Sequence, residues 1–201
     1  GMTLDITADG VIKTRLQNLK QATTGDHQHI DDMVMEMAPF ESRDNYARFV
    51  GMQYVFHRAV KPLYDASDLN ALIPGLSMRS RFDHVCADLA DLQCSLPENT
   101  KPFPVPQTGM GRLGWLYVCE GSSLGAAFLL KAAGNIGLNA EFGARHLAGH
   151  EDGRGKHWRE FVDQVNGLAL SAKQEQEVID GAIAAFDFFR TLLIEDRKLA
   201  A

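Results

Sequence analysis

A chain of 201 residues, 45% hydrophobic and 23% charged, is long enough for one sizeable core and has the balance of an ordinary globular protein. Its formal net charge of −6 argues against a nucleic-acid partner, which needs a clustered basic face. The one dense basic stretch, GRGKHWR (153–159), is short and reads equally as a solvated helix start. Three cysteines, Cys86, Cys94 and Cys119, show no CxxC spacing and read as reduced intracellular thiols. No apolar run approaches the ~18–20 residues of a membrane span, and GMTLDITADG has no charged-then-apolar signal pattern. A cytoplasmic protein without membrane insertion is expected, built as a single domain over residues 1–201, with 1–9 flexible and Gly1 a cloning remnant.

Along the chain the recurring signal is helical. Ile12, Leu16, Leu19, Thr23, His27, Ile30, Val34 and Met37 step by three or four and mark one long amphipathic helix. APF (38–40) breaks it, because proline restricts the residue before it. Ser42 can cap a second helix with Tyr46, Phe49, Val50, Tyr54 and Phe56 on its apolar face. A third spans about 79–94. PENTKPFPVPQTG (97–109) carries four prolines and must cross irregularly. A helix follows over LYVCEGSSLGAAFLLKAAGN (116–135), ending towards Gly134 or Gly137. A short helix near 155–166 and a longer one from Ser171, with Phe186 and Phe189 on its apolar face, complete the chain. No alternating β-branched run bounded by hairpin turns is present. The expected fold class is all-α, roughly six helices in an irregular bundle.

Two positions break the helical logic. His27 belongs to the stripe of the first helix, with Asp31 four residues on and therefore on the same face. A metal-bound histidine commonly gives its other ring nitrogen to a carboxylate, and a single axial histidine is one way a protein holds haem iron. A lone histidine on such a stripe is also a frequent core residue. His29 points away, and the remaining histidines have no metal-site spacing. The inward Glu-x-x-His pairs of carboxylate-bridged bundles are missing. Gly121 and Gly125, one turn apart, form the second oddity. Two interior glycines give up roughly 2 kcal/mol relative to alanine. Tight helix packing, a kink, or the close approach of a flat ligand would each use that bare stripe.

Together the two segments resemble those of the haem oxygenase family. TTGDHQHID (23–31) is similar to its proximal-helix pattern, and YVCEGSSLGAAFLLK (117–131) to its bacterial-style distal-helix pattern. The resemblance implies a single-domain α-helical fold with haem between a proximal and a distal helix. Haem would be both substrate and prosthetic group, opened to biliverdin with loss of CO and iron. His27 then matches the proximal iron ligand and Asp31 its acidic partner, while Gly121 and Gly125 match the distal glycines. Lys20 and Tyr117 match positions that hold haem propionates and imply opening at the α-meso carbon. Phe186 is a further expected haem contact.

Ser122 stands where some members carry an aspartate that organises water near bound oxygen; bacterial-style members share the serine. Oxygen and an external ferredoxin or reductase are the implied co-reactants, since no flavin or nicotinamide fingerprint is present. A non-catalytic haem carrier or sensor would also use His27. A haem-free thiaminase-like bundle would need a catalytic pair, for which Cys119 and Glu120 are the nearest candidates.

Overall fold

The computed structural model describes residues 5–6, 12–99 and 101–200. Most of the expected flexible segment, Gly1 included, lies outside the described residues. A short antiparallel ladder pairs β1 (Asp5–Ile6) with β2 (Ile12–Lys13). Ile12 is therefore a strand residue, not the start of the first helix. That helix, α1, spans Arg15–Glu36 because Thr14 and Gln17 form a reciprocal capping box: Gln17 N donates to Thr14 Oγ1, and Thr14 N to Gln17 Oε1. It stops where Ala38 takes a left-handed conformation, φ 50°.

Ser42 accepts from Asn45 N at 3.0 Å and starts α2 (Arg43–Asp65), as expected. After it come α3 (Ser67–Leu72), a 3-10 turn (Leu76–Arg79) and α4 (Phe82–Asp91), so the expected third helix is shorter and preceded by a separate turn. Among the described residues, the proline-rich crossing holds no helix. The glycine-bearing segment is two helices, α5 (Gly111–Leu124) and α6 (Ala126–Ala133), bent by 47°. A 3-10 turn (Gly134–Ile136) ends at Gly137, φ 78°. α7 (Arg154–Asn166) and α8 (Ala172–Ala200) follow, the latter opened by a Ser171–Gln174 capping box.

α8 is the central element, packed against α1 on one side and α5 on the other. Its crossing with α5 is backbone on backbone. A Cβ on Gly114 would stand 2.1 Å from Val178 O, and one on Gly181 2.0 Å from Gly111 O. Only glycine fits at both places. The core around this crossing is one contiguous cluster that includes Leu19, Phe49, Trp115, Leu116, Phe161 and Val178, all at most 1% exposed. No single described helix is long and apolar enough to cross a membrane; α5 with α6 reaches the length only as a bent pair, and much of α5 is buried in the core.

Candidate active site

α1 buries Leu16, Leu19, Thr23, Ile30 and Met33. The step from Thr23 to Ile30 passes over His27, whose side chain is 66% exposed. His27 thus keeps the register of the stripe but not its burial, and the satisfied core histidine considered from the sequence is excluded. Its ring stacks on Phe186 of α8, centroids 5.9 Å apart. Asp31 shares the face, but its Oδ2 stands 3.5 Å from His27 Nε2 with its side chain 59% exposed. That is a loose ion pair and too long for a hydrogen bond that fixes a tautomer. Lys20, two turns before His27, is exposed.

The second bare surface is on α5 and α6. Around Gly121 the nearest foreign atom to a built Cβ is Trp158 Cη2 at 3.9 Å; around Gly125 only the helix's own carbonyls come within 4 Å. Tight helix packing therefore does not explain this pair; it explains Gly111, Gly114 and Gly181 instead. The kink is real, since Gly125 is the residue between α5 and α6, so only Gly121 carries the full cost of an interior glycine. Leu124 and Phe128 beside the glycines are 38% and 64% exposed. Ser122 Oγ donates to Cys119 O at 2.7 Å, so its hydroxyl proton is committed and its free lone pairs can only accept.

Contacts with α8, and one between α1 and α5, bring the two surfaces to neighbouring parts of the bundle. Along α8, α1 runs in the same sense, from Arg15 on Glu175 through His27 on Phe186 to Glu36 on Arg197. α5 does likewise, from Gly111 near Glu177 to Trp115 near Phe188. Between them Tyr117 reaches the buried Thr23 with its hydroxyl. One turn beyond that contact lie His27 on α1 and Gly121 on α5. Burial raises the Tyr117 phenol above its usual range, the Thr23 hydrogen bond opposing only in part, so it stays protonated and can donate.

Behind α5 sits a polar cluster that the sequence reading missed. Glu120, 3% exposed, accepts from Tyr64 OH at 2.9 Å and from Arg79 Nη1 at 3.0 Å. Arg79 also donates to His157 O, joining α7 to the same group. Burial pushes the Glu120 carboxyl up, while Arg79 and Tyr64 pull it back. Cys119 Sγ lies 3.9 Å from His57 Nδ1, and burial pushes its thiol up to about 12. A buried thiol held neutral is no nucleophile. Cys119 and Glu120 face the core and are structural, which removes the thiaminase-like reading. Helical spacing alone carried no sign of this cluster, because its partners come from α2, the 3-10 turn and α7.

The family model for heme oxygenase matches residues 13–195. The chain belongs to the haem oxygenase family. It is 44% identical over 180 residues to heme oxygenase PigA of Pseudomonas aeruginosa, covering 89% of this chain and 91% of that one. It is also similar to the NO- and CO-bound heme oxygenase of Neisseria meningitidis, with a TM-score of 0.88 and 46% identity over 91% of this chain and 92% of that one.

A haem oxygenase uses haem as substrate and prosthetic group, and the residues of this one fit it. A flat apolar macrocycle needs an accessible axial nitrogen and a surface free of side chains. His27 is exposed, and a Cβ at Gly121 or Gly125 would make only ordinary van der Waals contacts, at 3.8–3.9 Å. Leu124 and Phe128 beside that strip are exposed apolar side chains, and Phe186 lies against His27. Among the described residues no group of three or more metal-ligating side chains gathers elsewhere.

Proposed function

We propose that this haem oxygenase opens haem at the α-meso carbon, yielding biliverdin, CO and iron, with electrons from a separate ferredoxin or reductase. The observation that supports the site assignment is an exposed histidine on α1 one turn beyond Thr23 and a bare helix backbone on α5 one turn beyond Tyr117, the two residues through which these helices meet. Haem supplies the iron that activates oxygen and the ring that is opened; the protein supplies orientation and protons. His27 would hold the haem iron through a ring nitrogen. A change of rotamer of its exposed side chain would let one ring nitrogen hold iron while the other faces Asp31. Phe186 stacks on the imidazole and limits its swing.

Lys20 offers an ammonium to the propionates, and Tyr117 a phenolic O–H once its hydroxyl turns away from Thr23. Anchoring these carboxylates fixes the in-plane angle of the ring, and that angle selects the carbon presented to oxygen. Gly121 and Gly125 let backbone stand where side chains would otherwise block the distal side. Ser122 accepts a hydrogen bond from water there, and the water is the proton source, since the serine proton is tied to Cys119 O. We read the chain as one domain acting in the cytoplasm.

The test is addition of ferric haem to the purified protein, then ascorbate or a ferredoxin system in air, followed by visible spectroscopy. A Soret band that decays as biliverdin absorption grows, and that does not form normally in His27→Ala, supports the reading. A stable band without decay would make the protein a haem carrier or sensor; no band would remove haem from the site altogether.

A further inference from the structure

In the basic stretch 153–159, Lys156 and Arg159 are exposed as a solvated helix start would have them, but Arg154 is not. Arg154 opens α7, but its guanidinium turns back onto the distal helix. Nη1 donates to Ser123 O at 2.8 Å and Nη2 to Leu147 O at 2.5 Å. Gly149 closes over the stem of the same side chain, where a Cβ would come within 3.3 Å of Arg154 Cγ.

Ser123 is the penultimate residue of α5, two before Gly125. The last carbonyls of a helix have no partner within it and must find one elsewhere. A cation at that end also meets the negative pole of the helix. Sharp bends arise at glycine and serine, or where a side chain enters the hydrogen-bond ladder. The 47° bend between α5 and α6 has both causes at once. Glu120, tied to Tyr64 and Arg79, holds α5 from the core side one turn earlier, and Arg79 bonds α7 at His157 O, three residues along from Arg154. The end of α5 is thus clamped to α7 twice.

Resting on the reading that the Gly121–Gly125 strip faces haem, we propose that Arg154 is a positioning residue of the distal helix. By capping Ser123 O it holds the break between α5 and α6, and so sets where the bare backbone stands. Its contacts are with Ser123, Leu147 and Gly149, not with His27, Gly121 or Gly125; it acts through the helix.

Two variants test this. Arg154→Met keeps the stem and removes every donor, whereas Arg154→Lys keeps a charge and can satisfy one carbonyl of the two. Hydrogen exchange is read on the haem-free protein, and the C–O stretch on the ferrous carbon monoxide complex. The expected result for methionine is roughly tenfold faster exchange over residues 124–129, a loss of the order of one capping bond, with α1 and α8 unchanged. Its C–O band should broaden or split, and lysine should lie between methionine and wild type in both readouts. Unchanged local exchange, acceleration spread equally over α1 and α8, or a lysine variant no better than methionine overturns the proposal. Should the methionine variant not fold, lysine alone decides: intermediate local exchange supports the role, and wild-type exchange refutes it. Failure of the haem reading would be separate, seen as a wild-type protein without a His27-dependent Soret band whatever the exchange shows.

Discussion

Two sets of glycines on α5 should respond in opposite ways to the same substitution. In Gly114→Ala the new Cβ would stand 2.1 Å from Val178 O and 2.3 Å from Ala182 N, both backbone atoms of α8. Restoring an ordinary contact of about 3.4 Å requires α5 and α8 to part locally by more than 1 Å. Overpacking of this severity costs about 3 kcal/mol or more, against which alanine's helix propensity returns about 1 kcal/mol. The net loss is about 2 kcal/mol or more. Gly121→Ala meets nothing nearer than Trp158 Cη2 at 3.9 Å, so only the propensity remains and the haem-free protein should gain up to about 1 kcal/mol. The gap of about 3 kcal/mol corresponds to roughly 6–12 °C in Tm for a chain of this size. Thermal or urea unfolding of the two haem-free variants measures it. Gly121→Ala should at the same time weaken haem binding or turnover, since its methyl occupies the strip assigned to the ring. A Gly121→Ala variant as unstable as Gly114→Ala would show that both glycines serve helix packing, and the assignment of the strip would fall.

Glu120→Ala leaves Arg79 and Tyr64 buried without their acceptor and should destabilise by about 3–5 kcal/mol, read by urea unfolding; a loss below 1 kcal/mol would mean that the cluster is wet. His57 is buried beside Cys119, with His146 and Arg81 acting on it, and its pKa is lowered from 6.5 to about 3, chiefly by burial. The unfolded chain therefore binds the proton that the folded one refuses in that window, so stability is full above 6.5 and falls as pH drops towards 3. His57→Gln should remove up to about 1.4 kcal/mol per pH unit from that slope; an unchanged slope between pH 6.5 and 4 would place the titration elsewhere, on His150 or His157, whose pKa values are lowered to about 3 and about 4. Lys20→Ala removes one exposed anchor, worth about 0.2–1 kcal/mol, so haem affinity should fall less than about fivefold while the biliverdin isomer mixture shifts from α; an unchanged product sinks the anchoring idea.

The helices were legible because their ends carry local chemistry. Ser42 and Ser171 cap where a hydroxyl before an apolar repeat predicts a cap, and Gly137 ends the distal segment with a positive φ. Ile12 was misread because periodicity continues past Thr14, and only the capping box shows that the helix starts there. His27 and Gly121 were legible as exceptions to a pattern: a polar ring in an apolar stripe and a bare residue in a helix. What such exceptions face was not legible. Gly114 and Gly121 are the same residue in one helix, and only the neighbour on α8 separates packing from an open surface. Glu120, Tyr64 and Arg79 are far apart in the chain, so nothing in the spacing joins them. Arg154 looked solvated because a basic run on a helix start usually is.

The distribution of these contacts bears on how a pocket of backbone can be selective. A side chain that guards a site can adjust by rotating; a bare helix cannot, so its position must be fixed from behind. α5 is fixed at its start by the glycine crossing with α8, near its end by Glu120 from the core, and at the break by Arg154 from α7. Each anchor holds α5 through α8, the core or α7 and acts on the strip through the helix. If the strip faces haem as proposed, discrimination among oxygen-side ligands follows from where the helix lies. Substitutions at Gly181, which packs on Gly111, or at Arg79, which bonds Glu120, should for that reason alter ligand geometry through the helix.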